Sequence, residues 1–322
     1  MALEGGSKLG RRGATAPDTA AGPRKRIHIT GTPRSGTTLL LSLMLSCFDI
    51  DGGLPRDHRL WRRPPRDRRI VCTKFTDETD FAAAMLPLDP DLHVIFILRD
   101  PRDVVVSRTH VDTSRYVTNL HVWRANLAAA QKYFGHERMH VVRYEDLTAD
   151  PDGVQATLLA EMPFLDPLRP FLCFTDCAEE DTGSWLTSMY MELRPVDSHG
   201  HGRWRKHLPR LKGQLARHGD LSDELLSLGF ERDKKWLATL DNVEPDFCAL
   251  TKGERPDFGA RVTRGWRNAL GAAAYLSRRY LGLEFSDMGE NTWLADEPRA
   301  ANENISPRVL PETSSRGRTE TA

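Results

Sequence analysis

The chain has 322 residues, and its 45 Lys and Arg balance 45 Asp and Glu. That balance gives no global attraction to nucleic acid or to an anionic membrane, and the length suffices for one large domain or two ordinary ones with a real core. Five cysteines, odd in number and irregular in spacing, exclude a disulfide framework. Cys173 and Cys177 stand four apart without a second pair at ligand spacing, so reduced thiols, no metal and a reducing, cytoplasmic compartment are expected.

Residues 1–24 are rich in Gly, Ala, Arg and Pro and hold no apolar segment. They read as a flexible leader, neither a signal peptide nor a membrane anchor. The longest apolar run, 39–48, is too short to cross a bilayer, which predicts a soluble protein without a transmembrane segment.

Residues 27–40, Ile-His-Ile-Thr-Gly-Thr-Pro-Arg-Ser-Gly-Thr-Thr-Leu-Leu, predict a short buried strand, a turn with two glycines and the start of an apolar helix over 37–47. Such a turn points successive backbone N–H groups inward, and the helix behind adds its positive end, so a phosphate or sulfate fits there. Arg34 supplies a fixed cation; Thr37 and Thr38 supply hydroxyl donors. The spacing approaches a nucleotide P-loop, but Thr37 stands where that loop needs the Lys that bridges β- and γ-phosphates.

A loop rich in arginine, 56–69, carries Asp57 and His58 and reads as a cover over a binding site or a solvated surface loop. A second strand is expected at 69–73, ending at Lys74, then a helix at 77–85 with an acidic first turn. Residues 93–98, His-Val-Ile-Phe-Ile-Leu, have the unbroken apolar pattern of a central parallel strand. Arg99-Asp-Pro-Arg-Asp follows, with Asp100 as helix cap, Pro101 in the first turn and Ser107 expected two turns down the helix. A longer helix at 117–134, a strand at 139–143 running into Tyr144, and a helix from 151 complete the alternation.

That alternation predicts an α/β three-layer sandwich, a central parallel sheet flanked by helices, P-loop NTPase-like. In such sheets ligands bind outside the carboxyl ends of the strands. Arg34, Lys74, Arg99 and Tyr144 each follow a predicted strand, so all four should crowd one edge.

The pattern weakens over 163–190. The stretch from His199 to Leu208 then offers two glycines with Arg203, Trp204, Arg205 and Lys206, a set suited to an anion beside a flat heterocycle. A short helix at 220–229 and a helical segment near 269–281 follow; the polar tail from 296 reads as disordered. The expected organisation is leader 1–24, main domain 25–230, helical extension 231–295 and tail 296–322.

Three separated motifs, in order, resemble the sulfotransferases that use 3′-phosphoadenosine-5′-phosphosulfate (PAPS). Pro33-Arg-Ser-Gly-Thr-Thr38 looks like that family's 5′-phosphosulfate loop, and Arg99-Asp-Pro-Arg-Asp with Ser107 looks like its 3′-phosphate motif. Arg143-Tyr-Glu-Asp-Leu147 and Gly202-Arg-Trp-Arg-Lys206 resemble two further cofactor-side segments, and the likeness spans about residues 26–230. It implies a PAPS co-substrate without a metal, and a hydroxyl acceptor on a carbohydrate or small metabolite. It further implies that Arg34, Ser35, Gly36, Thr37 and Thr38 hold the phosphosulfate end. Arg99, Ser107, Tyr144, Arg203 and Lys206 would hold the 3′-phosphate, with Trp204 packing nearby.

The base departs from the family's patterns. Where many relatives carry Lys-Thr-His, this chain reads Lys74-Phe75-Thr76; where others place a Glu, it offers Asp57 and His58. Asp57 or His58 is therefore the candidate base, with Lys74 near the transferred group. A P-loop phosphotransferase and a non-catalytic nucleotide-binding protein on the same fold stand as the alternatives.

Overall fold

The computed structural model describes residues 25–62, 68–108, 114–174, 196, 200–248 and 258–283. The expected leader and tail, and most of 163–200 beyond Phe174, lie outside the described residues.

Five strands form one sheet in the order β2-β3-β1-β4-β5, every pair parallel. They are β1 (Lys25–Gly31), β2 (Gly52–Asp57), β3 (Ile70–Lys74), β4 (Leu92–Leu98) and β5 (Met139–Arg143). Alternation along β4 builds the layers: Val94, Phe96 and Leu98 enter one apolar cluster, while Ile95 and Ile97 enter the other.

The first cluster is closed by α2 (Thr79–Met85), α4 (Leu120–Gln131), α7 (Leu208–His218) and α8 (Ser222–Ser227), which contribute Phe81, Trp123, Leu211 and Leu225. The second is closed by α1 (Thr37–Cys47), α5 (Tyr144–Ala149) and α6 (Pro151–Glu161), with Leu40, Met44, Leu147 and Leu158. Helices therefore cover both faces, and the expected three-layer α/β sandwich is borne out. Among the described residues, the remaining α-helices are α3 (Pro101–Val105) and the 24-residue α9 (Phe258–Leu281).

Three local readings need correction. The stretch Gly-Gly-Leu-Pro-Arg-Asp was expected to end a helix and enter a loop, yet it pairs with β3 as an edge strand whose register shifts between Gly53 and Asp57. Proline is tolerated there because an edge strand needs its N–H groups on one side only. Ser107 lies beyond α3, which stops at Val105; its N–H turns back to the Val104 carbonyl at 3.2 Å. Helix α7, entered through Pro209 in its first turn, has no counterpart in the expected elements.

Candidate active site

The loop after β1 is shaped by three residues with positive φ: Gly31 (155°), Arg34 (75°) and Gly36 (107°). A Cβ on Gly36 would stand 2.5 Å from the Tyr144 ring, so the glycine meets both a left-handed backbone and a close neighbour. Arg34 holds a left-handed conformation that costs a non-glycine residue about 1–3 kcal/mol, strain of the kind that collects at binding sites. Gly36 caps α1 with no side-chain hydrogen bond. A helix start without a capping side chain is where an anion completes the hydrogen bonding.

Around this loop the cations converge. The Arg34 Nε donates to Ser107 Oγ at 2.8 Å. Arg99 Nη1 donates to the Arg34 carbonyl at 3.0 Å and its Nη2 to the Gly200 carbonyl at 2.8 Å. The Arg99 guanidinium also lies over the Tyr144 ring, 4.0 Å from its centroid. Burial, and then the charges of Arg99 and Arg203, hold the Arg34 guanidinium below its ordinary pKa. A buried cation depressed by neighbouring cations marks a place where a polyanion would relieve the repulsion. Two buried donors, Arg99 Nε and Ser35 Oγ, have no hydrogen-bond partner among the described residues, which is the same signature at atomic scale. A polyanion fits this donor set.

The segment from Gly200 to Lys206 is fastened by a residue that motif spacing alone did not single out. Asp103 accepts from Gly202 N–H at 2.8 Å and from Trp204 N–H at 2.9 Å, so α3 fixes the position of the 3-10 turn Arg203–Lys206. Burial raises the Asp103 carboxyl pKa, as it does that of Glu145, which accepts from Asp100 N–H at 3.0 Å. Both acids lie inside the quoted motifs, but no sequence signal links Asp103 to Gly202, 99 residues further on. Arg203, whose charge reaches Arg34, is exposed, as is Lys206. Trp204 departs from expectation: its ring is 1 % exposed, covered by Arg102 and Arg205 at 4.5 Å each, and it offers no face to a ligand. The indole belongs to the core because Arg102, paired with Asp100 and Glu231, lies across it.

On the other side of β1, Lys74 at the end of β3 is buried and its ammonium is ion-paired with Asp57 at the end of β2. Asp57 is half exposed in this pair, its side chain 51 % accessible, so one carboxylate oxygen is available to a third party. His58 goes elsewhere. Its backbone N–H donates to the Lys74 carbonyl at 2.8 Å, while burial followed by the charges of Arg26, His28 and Arg62 brings its imidazole pKa down to about 4. Arg26 and His28 lie on β1 and Arg62 follows β2, so of the two expected bases only Asp57 pairs with Lys74. Arg34, Arg99, Ser107 and Tyr144 are thus joined by direct contacts, and Asp57 with Lys74 form a second group at the neighbouring strand ends.

Residues 57–162 match the model of the Sulfotransferase family. Among curated proteins, none matches the chain by sequence. Similar solved structures include the sulfotransferase domain of the Synechococcus PCC 7002 olefin synthase, at 15 % identity and TM-score 0.41, covering 60 % of this chain and 91 % of that one. Another is the mouse sulfotransferase SULT7A1 complexed with PAP, at 14 % identity and TM-score 0.41, covering 67 % of this chain and 88 % of that one. Among the described residues, no helix is long and apolar enough to cross a membrane.

Proposed function

We propose that this chain, whose residues 57–162 match the sulfotransferase family model, moves the sulfuryl group of PAPS to a hydroxyl on a carbohydrate or small metabolite. The observation that carries this reading is the cation cluster Arg34–Arg99–Arg203 around a strained glycine loop, with a buried donor left over at Arg99 Nε. When bound, the co-substrate supplies an activated sulfuryl group on a nucleotide phosphate that departs with the electrons of the broken S–O bond.

The chain's own residues divide the remaining work. The loop Arg34–Thr38 and the start of α1 hold the 5′ end by backbone donors and hydroxyls. Arg99, Ser107 and Arg203 hold the 3′-phosphate, and Asp103 keeps the Gly202–Lys206 segment beside them. Asp57 takes the acceptor's proton, while Lys74, pinned to it, sets its direction and neutralises charge near the transferred group. The absence of a P-loop Lys at Thr37 suits a donor with no γ-phosphate to clamp.

Incubation with ³⁵S-labelled PAPS and a panel of hydroxyl acceptors tests the reading. Label should pass to an acceptor with stoichiometric release of adenosine 3′,5′-bisphosphate. Magnesium-dependent consumption of ATP, without any use of PAPS, would overturn it in favour of a phosphotransferase.

A further inference from the structure

Helix α9 lies outside the stretch matched by the family model, yet it contacts Trp61, Asp77 and Asp80 in the segments that follow the two strands carrying the Asp57–Lys74 pair. We infer that α9 is a positioning element for that pair, acting through Gly271 and Arg278 on Trp61 and through Arg264 on the turn after β3. The role assigned to the pair rests on the sulfuryl-transfer reading; the clamp itself rests on contacts.

β2 is an edge strand, paired on one side only and out of register near Asp57. A base at the end of such a strand needs support from outside the sheet, because half of its backbone donors and acceptors find no neighbouring strand. The residues just downstream supply attachment points. Leu60 N–H donates to Glu78 at 2.8 Å, and the Leu60 carbonyl accepts from Arg26 at 2.9 Å. Helix α9 adds the rest: Arg278 donates to the Trp61 carbonyl at 3.0 Å, and Tyr275, 1 % exposed, lies under the Arg26 guanidinium at 4.8 Å.

Gly271 fits this approach. A Cβ there would stand 2.9 Å from the Trp61 indole, so only glycine lets the helix seat against the ring without moving it. One side of the pair is thereby held. Arg264 holds the other by donating to the Asp77 carbonyl at 2.7 Å and pairing with Asp80 at 2.9 Å, three to six residues after Lys74. Asp77 sits in a left-handed conformation (φ 63°) and its N–H returns to the Gly31 carbonyl at 3.3 Å, so this turn also abuts the glycine loop. Tyr275 and Arg279 tie the helix to buried Asp89 at 2.5 Å and 3.1 Å, which gives the clamp a fixed base.

The test compares Gly271→Leu, Arg278→Gln and the conservative Arg278→Lys in the full chain. Three readouts are taken: backbone hydrogen exchange over residues 57–62, affinity for adenosine 3′,5′-bisphosphate, and turnover of ³⁵S-labelled PAPS. For turnover, label is counted in 4-nitrophenol as the hydroxyl probe together with free sulfate. Exchange over 57–62 should accelerate about 10-fold or more in Gly271→Leu and Arg278→Gln, as local opening becomes easier. Displacement of the pair by even an ångström should lower kcat by up to ~100-fold, with KM for PAPS and bisphosphate affinity held. Arg278→Lys, which keeps a donor for the Trp61 carbonyl, should recover most of both losses. Unchanged exchange in both disruptive variants overturns the clamp, and fast exchange with unchanged kcat overturns the positioning role. A wild-type chain that binds no bisphosphate would instead sink the sulfuryl-transfer reading, while the exchange data still decide the clamp.

Discussion

Arg34 and Arg99 are both cations at strand ends, but their contacts separate their roles. Arg34 rises from a strained loop and reaches Ser107, whereas Arg99 is built into the frame through the Arg34 and Gly200 carbonyls and the Tyr144 ring. Arg34→Ala should abolish turnover, while Arg99→Ala should chiefly weaken binding of adenosine 3′,5′-bisphosphate, by roughly 10- to 100-fold for a lost charge-assisted bond. Isothermal titration beside a steady-state assay checks this; equal and small effects would refute the division of labour. The acceptor side makes a second residue-scale prediction. Asp57→Asn should cut kcat by ~100-fold or more, the usual range for a general base, with bisphosphate affinity unchanged. His58→Gln should leave kcat within about threefold, because its ring answers to Arg26, His28 and Arg62 rather than to the Lys74 pair. The reverse ranking of the two variants would move the base to His58. The family resemblance could name both candidates but could not rank them, since which way a side chain turns after an irregular edge strand depends on packing from distant elements.

At the scale of elements, what the sequence makes legible is what local rules decide. The run His-Val-Ile-Phe-Ile-Leu reads as a central strand because both faces are buried, and it is one. Asp100 caps α3 by accepting from Arg102 N–H at 2.8 Å, with Pro101 in the first turn, as the motif implies. β2 was not legible: Gly-Gly-Leu-Pro-Arg-Asp has no β-branched residue and only the partner strand makes it extended. Trp204 misleads for a related reason. An indole amid cations suggests a stacking platform, but Arg102 from α3 and Arg205 already fill both approaches. The glycine loop is the element most exposed to a single change. Gly36→Ala places a Cβ against Tyr144 in a left-handed backbone, which should cost about 1–3 kcal/mol of stability and remove bisphosphate binding. Chemical denaturation with the titration above measures both, and a variant that binds normally would deny the loop its role.

For the whole molecule, the parallel sheet sorts its two ends. The carboxyl ends of the strands gather Arg34, Lys74, Arg99 and Tyr144, the edge where doubly covered parallel sheets bind ligands. Near the opposite end lies a different buried polar group: His93 and His140 stack at 5.3 Å with a 3.0 Å hydrogen bond, and His140 contacts Glu161 at 2.7 Å. Burial first, then His140, Lys25 and Arg138, push the His93 pKa down to about 3, against the opposing pull of Asp91. Burial also lowers that of His140, against the pull of Glu161. The unfolded chain then binds more protons than the native one below the ordinary histidine pKa, so stability is complete above about pH 6.5 and is lost as pH falls toward 3. Thermal midpoints between pH 7 and pH 4 should fall less steeply in a His93→Leu variant; an identical slope would show that the pair does not carry the acid sensitivity. The pairing of these two histidines, 47 residues apart, could not be read from either strand alone, because it depends on β4 and β5 being neighbours in register.

The central claim is that the strained loop and its cations hold an adenosine bisphosphate. Calorimetric titration of the full chain with adenosine 3′,5′-bisphosphate tests it most directly, with ATP as the competing nucleotide. The account predicts saturable one-to-one binding that PAPS competes away, that Arg99→Ala weakens, and that ATP with magnesium fails to match. No saturable binding of the bisphosphate, or a clear preference for magnesium-ATP, would contradict it.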